Sequence, residues 1–296
     1  MSSGEFHYRL AQPVAGQRPG SHPASTLGAG HRFAGHARLF DVADPRRIDL
    51  RASLRDVRRE WLVRTYQQRA AIPVYAVVDV SASMSFGAPM PKLERAAEFV
   101  ESMGNSAFRA GDPAGLIAFD APGARGIDPA GIDTFGIDMP ARHSRGIGSL
   151  LGGRLRQRVI SGCGPALGPG VRDAALRLAG KEVLVFLVSD FHWPLELLGA
   201  ALDLLNRARV VPMVVWDRAE IEPPAASGLL RVTDAETRAS RTLWIGKRLR
   251  ARWLERVARR RDALDALFMA RELRPFHLID RFDPLALSRH FMETVS

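Results

Sequence analysis

Cysteine is nearly absent: Cys163 is the single one in 296 residues, so no internal disulfide can form and a reducing compartment is expected. Lysine is almost as scarce. Lys92, Lys181 and Lys247 are the only lysines among 42 basic residues, and the rest are arginine. No uninterrupted apolar run approaches the roughly 18–20 residues that a membrane-spanning helix needs. The opening MSSGEFHYRLAQP lacks the basic-then-apolar pattern of a secretory leader. These absences predict a cytoplasmic protein without a membrane span. Also missing are a Gly-x-Ser-x-Gly elbow and a phosphate loop ending in Gly-Lys-Ser/Thr, which excludes two common hydrolase and nucleotide-motor patterns.

What is present is an arginine-rich chain with a formal net charge of +10 and 46% apolar residues, enough for a substantial core. The arginines are spread along the sequence, a bias that coding composition alone can produce, although residues 248–261 hold seven of them. Acidic protein partners are therefore favoured over nucleic acid.

The chain divides into four stretches. Residues 1–32, rich in Gly, Pro, Ser and His, read as a flexible N-terminal arm. Residues 33–72 read as a small segment packed beside the main domain. From 73 to 217, apolar runs alternate with amphipathic stretches: strands near 73–80, 114–119, 182–189 and 209–216, with helices after Pro91, between 143 and 180, and over 194–208. Residues 218–296 read as a hairpin around Asp234, a helix over 247–272, a strand-like Pro275–Ile279 and a last helix after Pro284. Such alternation predicts an α/β fold. Its core would be a doubly wound, mostly parallel sheet with helices on both faces, plus small N-terminal and C-terminal extensions.

Chemistry concentrates at two strand ends. The run from Val74 ends in Asp79-x-Ser81-x-Ser83, and the run from Val183 ends in Ser189-Asp190. In an open parallel sheet, ligands bind outside the carboxyl ends of the strands where their order reverses. Asp79, Ser81, Ser83 and Asp190 would gather hard oxygens there. Such a set suits Mg²⁺ first, with Ca²⁺ or Mn²⁺ as alternatives. Asp and Ser also cap helices and make turns routinely, which is the structural reading of the same residues. His192 and Trp193, just beyond Asp190, are candidate partner-binding residues. No nucleophile–base pair is legible, so no catalytic or organic-cofactor residue is assigned. A metal-dependent, phosphatase-like hydrolase using Asp79 and Asp190 is the alternative.

Asp79-x-Ser81-x-Ser83 together with Asp190 resembles the metal-ion-dependent adhesion site of the von Willebrand factor A (vWA) type domain. The resemblance implies a vWA-like, Rossmann-like fold and metal-mediated protein–protein interaction. That family adds a threonine, but residues 146–170 contain none, and Ser149 and Ser161 are the hydroxyls available. Phe33-Ala34-Gly35-His36, Asp44 to Ser53 and Trp61-Leu62-Val63-Arg64 resemble the segment before the metal site in vWA-like proteins encoded beside MoxR-type AAA+ ATPases. Many of those proteins carry amino-terminal membrane helices, which do not appear here. Gly4 to Leu10 and Ser189 to Pro194 further resemble the MxaS-type accessory proteins of bacterial methanol oxidation. The implied partner is a MoxR-type ATPase, and the implied role is chaperone-like maturation of methanol dehydrogenase, including its metal supply.

Overall fold

The computed structural model describes residues 4–10, 12–14, 18–28, 32–42, 44–120, 138–157, 169–235, 239–279 and 281–295. The first elements are β1 (Pro19–Gly28), β2 (Arg32–Arg38), α1 (Leu50–Arg55) and β3 (Leu62–Ala70). Then follow β4 (Val74–Asp79), α2 (Lys92–Ala110), β5 (Ala114–Phe119), β6 (Asp138–Arg142), α3 (Ile147–Arg156) and α4 (Pro169–Leu178). Next come β7 (Leu184–Ser189), α5 (Leu195–Leu204), β8 (Arg209–Val215) and α6 (Arg218–Ile221). The chain closes with β9 (Gly228–Thr233), β10 (Ser240–Ile245), α7 (Lys247–Met269), β11 (Phe276–Leu278) and α8 (Pro284–Val295).

The main sheet has six strands in the order β11-β8-β7-β4-β5-β6. All neighbours run parallel except β5 and β6, so β6 is an antiparallel edge. From β4 the chain steps outward to β5 on one side, and it later returns to place β7 on the other. The strand order therefore reverses between β4 and β7. The result is a mixed α/β architecture compatible with a Rossmann-like or vWA-like fold.

β5 and β7 are buried along their whole length, as expected for strands covered on both faces. Val74, Ala76 and Val78 point into one core with α2, α3 and α8 residues such as Phe99, Leu151 and Phe291. Val77, Val185 and Leu187 point into the other, with Val171 of α4, Leu198 of α5 and Phe268 of α7. The pleat assigns alternate residues to the two cores. α2 lies so close to α3 that a Cβ on Gly104 would stand 2.5 Å from Gly148 Cα, so both positions need glycine. Gly111 ends α2 in the left-handed region at φ 80°.

The segment expected to be a flexible arm is, over its described residues, largely packed. Phe6, Tyr8, Leu10 and Val14 are buried in the first core, and Phe6 meets Phe186 edge-on with ring centroids 5.9 Å apart. The physical reason lies in Asp112, wholly buried just before β5. It accepts from Tyr8 Oη (2.5 Å), His22 Nε2 (2.7 Å) and Ile72 N (2.9 Å). Burial and the Asp112 charge push the Tyr8 phenol well above its ordinary range. β1 and β2 flank β3 in a separate antiparallel sheet. Beside it, Asp49 caps α1 by accepting from Arg51 N and Ala52 N, and it also receives Arg64 Nε at 2.8 Å. The hairpin read around Asp234 is β9 paired with β10. Among the described residues no helix is long and apolar enough to cross a membrane.

Candidate metal centre

The two carboxylates meet at the reversal of strand order. Asp79 is the last residue of β4 and Asp190 follows β7 directly; both are buried. They lie close enough that the charge of Asp190 acts on Asp79. Past Asp79 the chain enters a single short turn over Ala82–Ser85, which keeps the two serines together: Ser81 Oγ and Ser83 Oγ stand 3.1 Å apart. Ser83 also hydrogen-bonds Asp190, which links the β4 side of the centre to the β7 side. Asp79, Ser81, Ser83 and Asp190 thus converge.

A shell of donors fixes Asp79. Ser81 N donates to Oδ1 (2.9 Å), while Ser189 Oγ (2.6 Å) and Trp193 Nε1 (3.0 Å) donate to Oδ2. Ser189 accepts in turn from Phe191 N at 2.8 Å. Phe191 sits at φ 52°, a region sparsely used by residues with a side chain. That turn sends Trp193 inward, and the ring is 3% exposed. Trp193 is therefore a positioning group for Asp79; its indole is spent on the carboxylate and does not offer partner surface. His192 points outward, with 42% of its side chain exposed. Ser149 lies on α3 and donates to Glu101 of α2 (3.3 Å). Ser161, like Cys163, falls outside the described residues.

Two residues at the centre were not singled out in the sequence. Lys92, the first residue of α2, is wholly buried, and its Nζ donates to Asp190 Oδ2 (2.7 Å) and Glu220 Oε1 (2.6 Å). Glu220 is aimed by a capping box: its Oε2 accepts from Asp217 N (2.9 Å), while Asp217 caps α6 through Ala219 N (2.9 Å). Asp217 is itself clamped by the buried Arg95 of α2, whose guanidinium also reaches Ile279 O (2.6 Å). Local signals did exist. Lys92 follows Pro91 at a helix start, and Asp217-x-x-Glu220 is the capping spacing. Neither signal says that the two side chains meet.

The charges divide unequally. Burial pushes the Asp79 carboxyl up to about 6, with the Asp190 charge adding to it and the Ser189 and Ser81 hydrogen bonds opposing. Burial would raise Asp190 too, but the Lys92 ammonium overrides it and holds that carboxyl below its usual range. Glu220 is likewise held down against burial, by His192 and Lys92, and Lys92 is held up against burial by the two carboxylates.

The residues fit a metal ion in two adjoining ways. Asp79, Ser81, Ser83 and Asp190 offer only hard oxygens, the donor set of a Mg²⁺-type ion. Asp190, His192 and Glu220 have ligand atoms within 4.8 Å of one another and could hold a metal ion. A histidine in that second group favours a transition metal. Lys92 already supplies a positive charge between its two carboxylates, so an ion there competes with the ammonium.

No family model and no curated protein matches the chain. Among solved structures, the pilus adhesin SpaC from Lactobacillus rhamnosus GG is similar over part of the chain. Its open conformation gives a TM-score of 0.30 and 22% identity, and the match covers 40% of this chain and 14% of the adhesin. A second crystal form gives 0.31 and 22%, covering 40% and 15%. The match thus spans about one seventh of the adhesin's length, and an overlap of that quality carries no argument.

Proposed function

We propose that the protein is a non-enzymatic, vWA-like adaptor. A divalent cation, Mg²⁺ first, held by Asp79, Ser81, Ser83 and Asp190, would take a carboxylate from a protein partner. The observation that carries this reading is the convergence of those four side chains at the β4/β7 reversal. Neutral hydroxyls alternate there with carboxylates, which leaves a bound cation electron-poor and receptive to a further anionic ligand. The hydroxyls of Ser83 and Ser189 bond carboxylates rather than an imidazole, so neither forms the serine–histidine pair of a common nucleophile.

The finer parts of the reading rest on the sequence resemblance. They are a doubly wound vWA core with terminal extensions, a MoxR-type AAA+ ATPase as the partner, and a part in methanol dehydrogenase maturation. The test is retention of a purified MoxR-type ATPase on the immobilised protein with Mg²⁺ or with chelator. Folded Asp79→Ala protein should lose the partner. Undiminished retention by that variant in chelator sinks the metal bridge.

One observation favours a second reading, a metal-dependent hydrolase. A carboxyl lifted to about 6, as Asp79 is, can hand on a proton near neutral pH. Turnover of phosphate or carboxylic esters with Mg²⁺ or Mn²⁺, abolished in Asp79→Asn, would favour it.

A further inference from the structure

Beside the centre, a cleft of about 950 Å³ opens between α7, α6 and β10. That volume is at the upper end of small-molecule sites, which run to roughly 1,000 Å³, and it would hold several residues of an extended chain. Its walls are apolar and aromatic, with Trp216, Leu243 and Trp253 among them. Trp253 is fixed by its Nε1, which donates to Glu220 O at 2.7 Å. His192 and Glu220 line one end, so the cleft runs into the metal centre.

Four arginines of α7, the helix that also carries Trp253, line it as well: Arg252, Arg256, Arg259 and Arg260. Two of them are already engaged. Arg260 donates to the carbonyls of Phe191 and Trp193, and Arg259 stands 4.0 Å from Glu255. Arg252 and Arg256 are exposed, and neither guanidinium makes a hydrogen bond or ion pair with another of the described residues. Being four apart on a helix, they present cations about 5–6 Å apart at Cβ. Alternate side chains of an extended peptide are spaced about 6.6–6.8 Å. The two spacings match closely enough for one carboxylate to meet each guanidinium, while the intervening apolar side chains turn to the lining that other elements supply, Trp216 and Leu243.

We infer that this cleft binds an extended segment of a partner protein in which acidic and apolar residues alternate. The chain's net charge of +10 argues against a second copy as the occupant. A polynucleotide needs an open track of cations, whereas the cations here share a cleft with apolar and aromatic side chains. The inference deepens the docking reading by giving the partner's segment a chemistry. It rests on that reading only in having the segment end at the metal.

The test is fluorescence anisotropy with a short fluorescein-labelled peptide that alternates glutamate with leucine and carries one phenylalanine. Wild-type protein should bind it. The Arg252→Glu/Arg256→Glu protein should bind at least tenfold more weakly, about 1.4 kcal/mol, while keeping its melting temperature. Trp253→Ala should weaken binding as well. Chelator should leave the affinity of this short peptide unchanged, since its contacts are with the cleft lining and not with the ion. Equal binding by the charge-reversed protein, or by the same peptide with lysine replacing glutamate, overturns the inference. Displacement of the peptide by a lower concentration of oligothymidylate also overturns it, by assigning the cations to nucleic acid. Peptide affinity kept while metal-dependent partner retention fails would sink the docking centre alone.

Discussion

Lys92 Nζ stands 2.7 Å from Asp190 Oδ2, and both side chains are wholly buried. With Glu220 at 2.6 Å, the ammonium neutralises the β7 side of the centre from within the protein. Breaking such a group by removing one partner costs about 3–5 kcal/mol, because the remaining charge stays buried and unpaired. Lys92→Met should lose that much unfolding free energy at neutral pH in a denaturant titration. Millimolar Mn²⁺ should restore part of it by entering among Asp190, His192 and Glu220. Absence of any Mn²⁺ recovery in the variant would show that these three do not form a cation site.

Asp79 sets a pH dependence of known sign. Its folded carboxyl is raised from an ordinary 3.8 to about 6, so between those values the folded state holds a proton that the unfolded state has lost. In chelator, this group's contribution to stability is full below pH 4 and falls as pH rises towards 6, by up to about 3 kcal/mol at about 1.4 kcal/mol per unit. Asp190, shifted down, acts below that window, where its contribution is lost as pH falls. Asp79→Asn should flatten the slope between pH 4 and 6 in thermal melts. Mg²⁺ stabilisation should show the opposite trend, strengthening as pH rises through 6, because the ion needs the ionised ligand.

Trp193 offers a separate handle on the same carboxylate. Trp193→Phe keeps the aromatic packing but removes the 3.0 Å donor to Asp79 Oδ2. The pH midpoint of Mg²⁺ binding, followed by calorimetry, should move upward in the variant, with far-ultraviolet dichroism unchanged. An unmoved midpoint would make the indole a packing group only.

Asp112 should prove essential to the amino-terminal segment. Asp112→Ala leaves Tyr8 Oη, His22 and Ile72 N without their acceptor. At about 1–3 kcal/mol for each buried group left unsatisfied, the loss should reach at least about 3 kcal/mol. Limited proteolysis should then cut first within residues 4–28. A variant as stable and as resistant as wild type would remove Asp112 from this role.

The central strands were legible because they are continuous apolar runs buried on both faces. β5, read as residues 114–119, occupies Ala114–Phe119, and β4 and β7 fall within the runs read for them. The carboxylates were legible because strand ends carry ligands in such sheets. Lys92 and Glu220 were not, since their meeting depends on how α2 and α6 dock, and 128 residues separate them. The packing of Phe6 and Tyr8 was hidden for a similar reason. A Gly/Pro/Ser/His-rich stretch has no periodicity of its own, and its anchor, Asp112, lies in a distant turn. Trp193 was misjudged because adjacency to Asp190 says nothing of direction; the positive φ at Phe191 decides that.

The placement of Lys92 also bears on the order in which the chain can mature. Both carboxylates that neutralise it, Asp190 and Glu220, are synthesised about a hundred or more residues later. A chain that stops after β5 already has Asp79, Ser81 and Ser83, yet it lacks both carboxylates that neutralise Lys92 in the folded protein. The centre is thus completed only when the second half of the sheet has arrived. A partner that docks there would distinguish finished molecules from partial ones.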